Sequence, residues 1–424
     1  MLNEKSTRQD GAASGDLHRL WVFYHYLYPD KVVSAVIMDQ LSVGLQARGW
    51  SVTGLSGNRS SDEENPVPMQ DAMHDGVTIR RIWRPRFRQS STAGRLLNAA
   101  WMIAAWSLLA VDDEPPDAIM VGTDPILSVL IAIVWRLAHP GIRIVHWCFD
   151  LYPEAAYADG LLAPTGKVSR LLSLLLKKAY AACDVIVDLG PCMRTHLQRY
   201  RSPATVDTVT PWALEEPADI LPVDLEERRE VCGDAQLAML YSGSFGRAHT
   251  YEDFLTLAAA LRDRSSSLTF SVRGNRKPDL RAAVECLPPG STCEIRFVPF
   301  AESTRMGPRL AAPDVHLLSL AAHWSGLVVP SKFFGALAVG RPVLFSGSVE
   351  SSIAQWILQY DLGWLLTPQN VESVAQDLWA YVNDPARVAA MQQRCFDTYH
   401  LLFSRQAGLE RMFTLLDPAA VQAS

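Results

Sequence analysis

Lys332 closes a turn, Val329-Pro330-Ser331-Lys332, set between a glycine at 326 and an apolar stretch over 333–339. Proline at a first helical turn loses nothing by lacking an N–H. The free N–H groups of such a turn, at the positive end of the helix dipole, can face an anion, and Lys332 adds a mobile positive charge there. A second glycine turn lies upstream, where the apolar run 237–241 leads into Ser242-Gly243-Ser244-Phe245-Gly246-Arg247 and then a helical pattern over 251–261. Glycines at a strand-to-helix turn let backbone approach phosphate, and the planar fork of Arg247 can clamp its oxygens. Each turn alone reads equally well as an ordinary helix start. Two of them with one cation each, in one half of the chain, suit a diphosphate.

Asp150 follows the apolar run 143–148 and precedes Leu151-Tyr152-Pro153-Glu154. That places a carboxylate at an expected sheet edge, where it can act as a base or orient a substrate, or else cap the helix after Pro153. Glu154 suits the first turn of that helix, and His146, alternating within a strand, reads as a core residue. Arg80, Arg81, Arg84, Arg86, Arg88 and Arg95 cluster with Trp83 and Phe87, and no acid interrupts 79–110. An apolar helix over 96–109 follows, bearing Trp101 and Trp106. Basic charge beside such a helix fits an anionic membrane surface; a solvated loop before a core helix has the same composition.

The elements that must position these residues alternate. Strand patterns at 21–26, 51–55, 78–83, 118–121, 143–148 and 185–189 are separated by helical patterns at 35–47, 96–109, 126–137, 167–181 and 193–200. The theme repeats with strands at 237–241, 269–273, 294–297, 315–319 and 342–345, and helices at 251–261, 305–311, 332–339 and 351–359. Three helices, near 371–382, 386–402 and 406–416, end the chain. This is an α/β pattern of doubly wound parallel sheets. Pro211, Pro217 and Pro222 among acidic residues mark a linker between the halves. Ligands of open parallel sheets bind beyond the carboxyl ends of the strands, where both glycine turns and Asp150 fall.

At 424 residues the chain exceeds one usual core. Hydrophobic residues at 49% and charged at 20% describe a globular protein, and a net charge of −6 argues against wholesale nucleic-acid binding. The 7 cysteines form no C-x-x-C pair. Cys148, Cys183 and Cys293 lie in or beside apolar runs, as reduced thiols of a cytoplasmic protein do. Residues 1–17 are polar, lack the apolar core of a signal peptide and are expected to be disordered. The longest apolar run, 96–111, contains Asn98 and Ser107 and falls short of the roughly 18–20 residues that span a bilayer.

Several segments resemble the GT-B glycosyltransferases of family 4, in the branch that builds bacterial surface polysaccharides. They are YPDKVVSAVIMDQLSVGLQARGWSVT at 28–53, FDLYPEAA at 149–156, YSGSFGRAH at 241–249, LAAPDVHLLSL at 310–320 and GLVVPSKFFGALAVGRPV at 326–343, in the family's order. The resemblance implies two Rossmann-like doubly wound domains facing across a cleft. An acceptor-binding domain over 18–212 would follow the tail 1–17, with a linker at 213–222 and a nucleotide-sugar-binding domain at 223–400. The last segment, 401–424, would form a helix packing back on the first domain.

The implied activity is retaining transfer of a sugar from a UDP- or GDP-sugar to a lipid-linked, polyprenyl diphosphate saccharide, for exopolysaccharide, capsule or O-antigen. It needs no metal or other cofactor, and its place is cytoplasmic, peripheral on the inner face of the membrane. The resemblance assigns Asp150 to catalysis and Arg247, Lys332 and Ser331 to the donor diphosphate. Gly243, Ser244, Gly246, Arg273, Gly274, Val329 and Pro330 would line the nucleotide and sugar. Ser34, Glu154, Arg84, Arg86 and Arg88 would face acceptor and membrane. Two departures stand out: Val32-Val33 replaces a glycine pair, and of two glutamates common in the donor segment one position is Gly335 and the other falls in 325–327, which has no acid. A nucleotide-sugar 2-epimerase and a catalytically weak nucleotide-sugar-binding scaffold are the competing readings.

Overall fold

In a computed structural model of the chain, the structure describes residues 18–62, 68–112, 114–301 and 305–417. The tail expected at 1–17 lies outside them. The first half folds around an eight-stranded sheet, β1 (Arg19–Phe23), β2 (Ser51–Gly57), β3 (Ala72–His74), β4 (Val77–Ile82), β5 (Ala118–Gly122), β6 (Arg143–Trp147), β7 (Val185–Asp188) and β8 (Thr205–Thr208), in the order 3-4-2-1-5-6-7-8. Every pairing is parallel except the hairpin β3–β4. The second half carries a six-stranded, all-parallel sheet, β9 (Leu237–Ser244), β10 (Ser266–Arg273), β11 (Glu294–Phe297), β12 (Val315–Leu320), β13 (Val343–Gly347) and β14 (Gly363–Leu366), in the order 11-10-9-12-13-14.

The central strands are apolar on both faces because helices cover both. Every residue of β5, β7 and β12 is buried, as parallel strands between two helical layers require. Each sheet reverses its winding at one place, between β1 and β5 in the first domain and between β9 and β12 in the second. Chains leaving neighbouring strands there run to opposite faces and open a crevice.

Sequence patterning places the central strands correctly and misses β3, β8 and β14, all at or near a sheet edge. It also misses the helices Leu225–Cys232, which is mostly charged, and Lys277–Glu285, which is short and follows a glycine loop. One length is underestimated. The helix expected over 96–109 runs Thr92–Asp112, 21 residues, and the 20 residues Thr92–Val111 are long and apolar enough to cross a membrane by length and composition. The difference lies at both ends, and at the start Ser91 Oγ accepts from Gly94 N at 3.0 Å and begins the helix a turn earlier. Asn98, Met102 and Trp106 on its inner side are buried in the first domain, so it serves as a covering layer of that sheet.

The chain ends where it began. The helix Pro385–Thr398 and the turn Tyr399–Phe403 pack in the second core, with Tyr399 and Phe403 buried there. Ser404 caps the next helix, Arg405–Leu416, by accepting from Ala407 N. Leu409, Met412, Leu415 and Leu416 of that helix belong to the first core. Arg143 donates to Leu415 O at 3.0 and 2.6 Å, and Leu409 fills the space where a side chain at Gly44 would stand. The segment between the domains is pinned as well: Tyr399 OH donates to Glu216 Oε1 at 2.5 Å and accepts from Ala213 N at 2.9 Å.

Candidate active site

The carboxyl ends of both sheets face one cleft, which holds a cavity of about 490 Å³. Ser34, Asp150, Ser244, Arg273, Val329 and Ser331, drawn from five segments of the chain, line it together. Asp150 leaves the end of β6, and the amides of Phe149 and Asp150 both point at Thr123 Oγ1, 3.1 and 3.4 Å away. Its side chain caps no helix, since Pro153 stands at the N-cap of the short helix Glu154–Ala158. Burial, and then the charge of Asp124, push the Asp150 carboxyl up to about 6. A proton there is exchangeable near neutral pH, as acid–base or orienting work requires.

Asp124 and His25 were not legible as site residues. They follow β5 and β1, lie 99 positions apart, and meet with Nδ1 3.3 Å from Oδ1. Ser34, in the first turn of the helix Val33–Gln46, hydrogen-bonds Tyr24, whose phenol also feels Asp124 and Asp150. The switch point of the first sheet thus carries two carboxylates, a histidine and a tyrosine. By contrast His146 is a core residue, its Nδ1 2.8 Å from Val121 O, and burial lowers its pKa to about 4.

On the other wall, the helix after β12 begins at Lys332, where the sequence pattern places it, and runs to Ala338. Phe333 and Phe334 donate back to Pro330 O and Ser331 O at 3.2 Å each. Among the described residues the amides of Ser331 and Lys332 have no backbone hydrogen-bond partner. Lys332 crosses directly over Gly243: a Cβ at that glycine would stand 2.5 Å from Lys332 Cε, and its φ is +127°. Glycine here admits the lysine rather than a phosphate. Lys332 Nζ lies 5.4 Å from the Tyr241 ring centre and 3.4 Å from His249 Nε2. Burial pulls the ammonium down to about 8, and burial followed by the Lys332 charge pulls His249 down to about 4. His249 Nδ1 accepts from Gly246 N at 3.1 Å and lies 3.3 Å from Gly246 O, which fixes the ring against the glycine turn.

His249 escaped the sequence reading because nothing in its spacing announces Lys332. Gly274, at φ +132°, is held by crowding against Phe245 backbone, whereas a Cβ at Gly246 would make only an ordinary 3.6 Å contact with Asn275. Arg273 lies over the Phe300 ring at 4.5 Å. Arg276 instead braces the glycine turn, donating to His249 O at 2.8 Å.

Three expected residues sit elsewhere. Arg247 lines a neighbouring cavity of about 470 Å³ and faces Asp159 of the first domain, Nη1 to Oδ2 3.3 Å. Glu154 does not reach the acceptor side. It is buried, receiving Tyr200 OH at 2.6 Å and Arg199 Nη1 at 2.9 Å on one oxygen. Arg84 is also buried, its amide donating to Asn58 Oδ1, because the chain leaving β4 turns inward there; Arg86 and Arg88 stay exposed. A Cβ at Gly335 would meet Leu310 at 3.6 Å. Among the described residues no three His, Cys, Asp or Glu side chains gather as a metal ligand set.

This architecture has known counterparts. Residues 34–212 match the glycosyl transferase 4-like domain. A curated protein of Pseudomonas aeruginosa, "Probable glycosyltransferase WbjE", is 25% identical over 268 residues, 61% of this chain and 64% of that protein. The match therefore spans just under two-thirds of that relative. Sucrose-phosphate synthase from Thermosynechococcus elongatus superposes with a TM-score of 0.68 at 16% identity, covering 96% of this chain and 100% of the other. Anabaena HepE in complex with UDP and glucose superposes at 0.61 with 12% identity, covering 93% and 98%. The fold of the whole chain is GT-B, and the glycosyl transferase 4-like segment supplies the wall that carries Ser34, Asp124 and Asp150.

Proposed function

We propose that the chain is a retaining glycosyltransferase that moves a sugar from a nucleotide diphosphate sugar to a lipid-linked saccharide acceptor in bacterial surface-polysaccharide synthesis. The observation that carries this reading is the meeting of Asp150 with Ser331, Arg273 and Ser244 in one interdomain cavity, with buried Lys332 beside it. Breaking the anomeric bond puts charge on a departing diphosphate, and fixed donors aimed at that charge are what lower the barrier. Lys332 and the amides of Ser331 and Lys332 supply them, each charge-assisted bond contributing about 1.5–3 kcal/mol. Asp150 faces them from the acceptor side, able to orient or deprotonate an incoming hydroxyl. In this reading no metal takes part, so chelation by EDTA leaves turnover unchanged.

The UDP held by HepE supports a uridine diphosphate donor, and the resemblance to WbjE supports a polysaccharide product. The helix Thr92–Asp112 supports work at an anionic membrane, on the inner leaflet: Leu97, Trp101, Leu108 and Val111 are exposed along it, with Arg86, Arg88 and Arg95 alongside. The test is incubation of the purified protein with a panel of nucleotide sugars and membrane lipid extract. Release of free UDP or GDP with a sugar of unchanged anomeric configuration on the lipid is the expected result. A changed free nucleotide sugar would instead identify an epimerase, and nucleotide binding without reaction a scaffold.

A further inference from the structure

The helix Lys167–Ala182 lines no part of the cleft cavity. Ser169, Leu176, Ala179 and Tyr180 bury one side of it in the first domain. The other side is open: Lys167, Arg170, Leu171, Leu174, Lys177 and Lys178 are all exposed. Its 16 residues, KVSRLLSLLLKKAYAA, include four cations and no acid. None of the four pairs with a carboxylate among the described residues, whereas the neighbouring Arg136 and Arg199 are held by Asp184 and Glu154. Arg170, Ser173, Leu174 and Lys177, spaced i, i+3, i+4 and i+7, share one side of the helix. They line a cavity of about 480 Å³ that Arg199 closes and no carboxylate borders.

This helix belongs to a layer. The helices Thr92–Asp112, Ile131–Ala138 and Lys167–Ala182 connect β4 to β5, β5 to β6 and β6 to β7, each stepping the same way along the sheet. Right-handed crossovers that step the same way put their helices on one face. Trp135 Nε1 donates to Trp106 O, and Arg136 Nε to Ala182 O, both at 3.1 Å, so the short middle helix joins its two neighbours side by side. Outward from this layer stand Leu97, Trp101 and Leu108 on the first helix, Leu137 on the second, and Leu171 and Leu174 on the third. Exposed leucines among unpaired cations are the mark of a helix lying at a membrane interface. The chain as a whole is acidic, at −6, so attraction to an anionic surface has to be local.

We infer that the helix Lys167–Ala182 is the anionic-phospholipid contact of this face, with a lipid phosphate seated between Arg170 and Lys177 and with Leu171 and Leu174 entering the acyl boundary. The inference deepens the membrane reading above and rests on it. That reading drew on the helix Thr92–Asp112, whose residues from Leu97 to Val111 include no charge. They supply apolar area, which does not discriminate between lipid headgroups. The third helix of the layer supplies the preference for negative charge.

Co-flotation of the full-length protein with vesicles of phosphatidylcholine, alone or mixed with phosphatidylglycerol, tests the assignment. The wild type partitions at least tenfold more strongly onto the mixed vesicles. Each cation at an anionic leaflet contributes about fivefold, so Arg170→Gln with Lys177→Gln lowers that partitioning at least tenfold. Both side chains are exposed, and the melting temperature stays unchanged. Leu171→Gln with Leu174→Gln lowers it at least fivefold. Arg48→Gln with Arg262→Gln removes the same charge from exposed positions outside the layer and leaves partitioning as it was. Wild-type flotation of the Arg170/Lys177 variant, or an equal loss in the Arg48/Arg262 variant, overturns the assignment and leaves the membrane reading standing. Release of the protein from mixed vesicles by soluble glycerol phosphate does the same, since the cavity would then serve a free phosphate. Wild-type protein that stays in the soluble fraction with both kinds of vesicle removes the assignment and the membrane reading together.

Discussion

Asp150 and Lys332 sit on facing walls with pKa values moved toward neutrality from opposite sides, and the signs of those shifts make testable statements. Asp150 titrates near 6, above the usual carboxyl value of about 4. Turnover that needs the carboxylate falls as pH drops through 6, and Asp150→Asn removes that limb while lowering kcat at least tenfold and sparing nucleotide affinity. Between pH 4 and 6 the native state keeps a proton that the unfolded chain has lost, so this group's contribution to stability falls as pH rises. Asp150→Asn is then more stable than the wild type at pH 7, as denaturant melts will show. Lys332 runs the other way. Its ammonium is lost near 8 in the free protein, so UDP affinity measured by calorimetry falls between pH 7 and 9. In Lys332→Ala it is weak and flat over that range, with turnover down at least tenfold. Above 8 the unfolded chain holds the extra proton, and stability gains with pH until the ordinary lysine value is reached. Lys332→Met therefore melts higher than the wild type at pH 7, by about 2 °C or more; a lower Tm would mean that the ammonium is not held at a cost.

The helix Thr92–Asp112 is the element on which the membrane reading stands. Trp101→Glu, on its exposed side, abolishes co-flotation with vesicles containing anionic lipid and leaves the melting temperature unchanged. Equal recovery of wild type and variant in the soluble fraction would remove that reading. Trp106, on the inner side and fully buried, behaves oppositely: Trp106→Ala costs about 3–5 kcal/mol. The sequence showed this element's existence through its apolar run, but its start depended on a local Ser91 cap that hydropathy does not weigh. The same contrast runs through the molecule. Strands such as β5 were legible because burial on both faces leaves an unbroken apolar run. TVDT of β8 lacks that mark because it lies at a sheet edge, and β14, also at an edge, is only 4 residues long with alternate residues buried. In the site, Lys332, Ser331 and Arg273 were legible from glycine turns that end strands. His25, Asp124 and His249 were not, since each acquires its role from a partner far along the chain, and the burial of Arg84 is set by a path no local pattern encodes.

At the scale of the whole molecule, two sheets share one chain that passes between them twice, once at 209–224 and again at Ser404. Tyr399 ties the two passages together through Glu216 and Ala213. Met412, fully buried in the first core, tests how much the returning helix matters. Met412→Ala costs about 2–5 kcal/mol in urea unfolding, and the loss is seen by probes in the first domain.

The return of Arg405–Leu416 to that core also fixes an order of events at the ribosome. The domain translated first lacks Leu409, Met412, Leu415 and Leu416 until they too have been read, so the domain translated second can close its own core before its predecessor does. A chain cut after Ser404 would keep every residue of the second core and leave the first open, with the groove beside Gly44 bare.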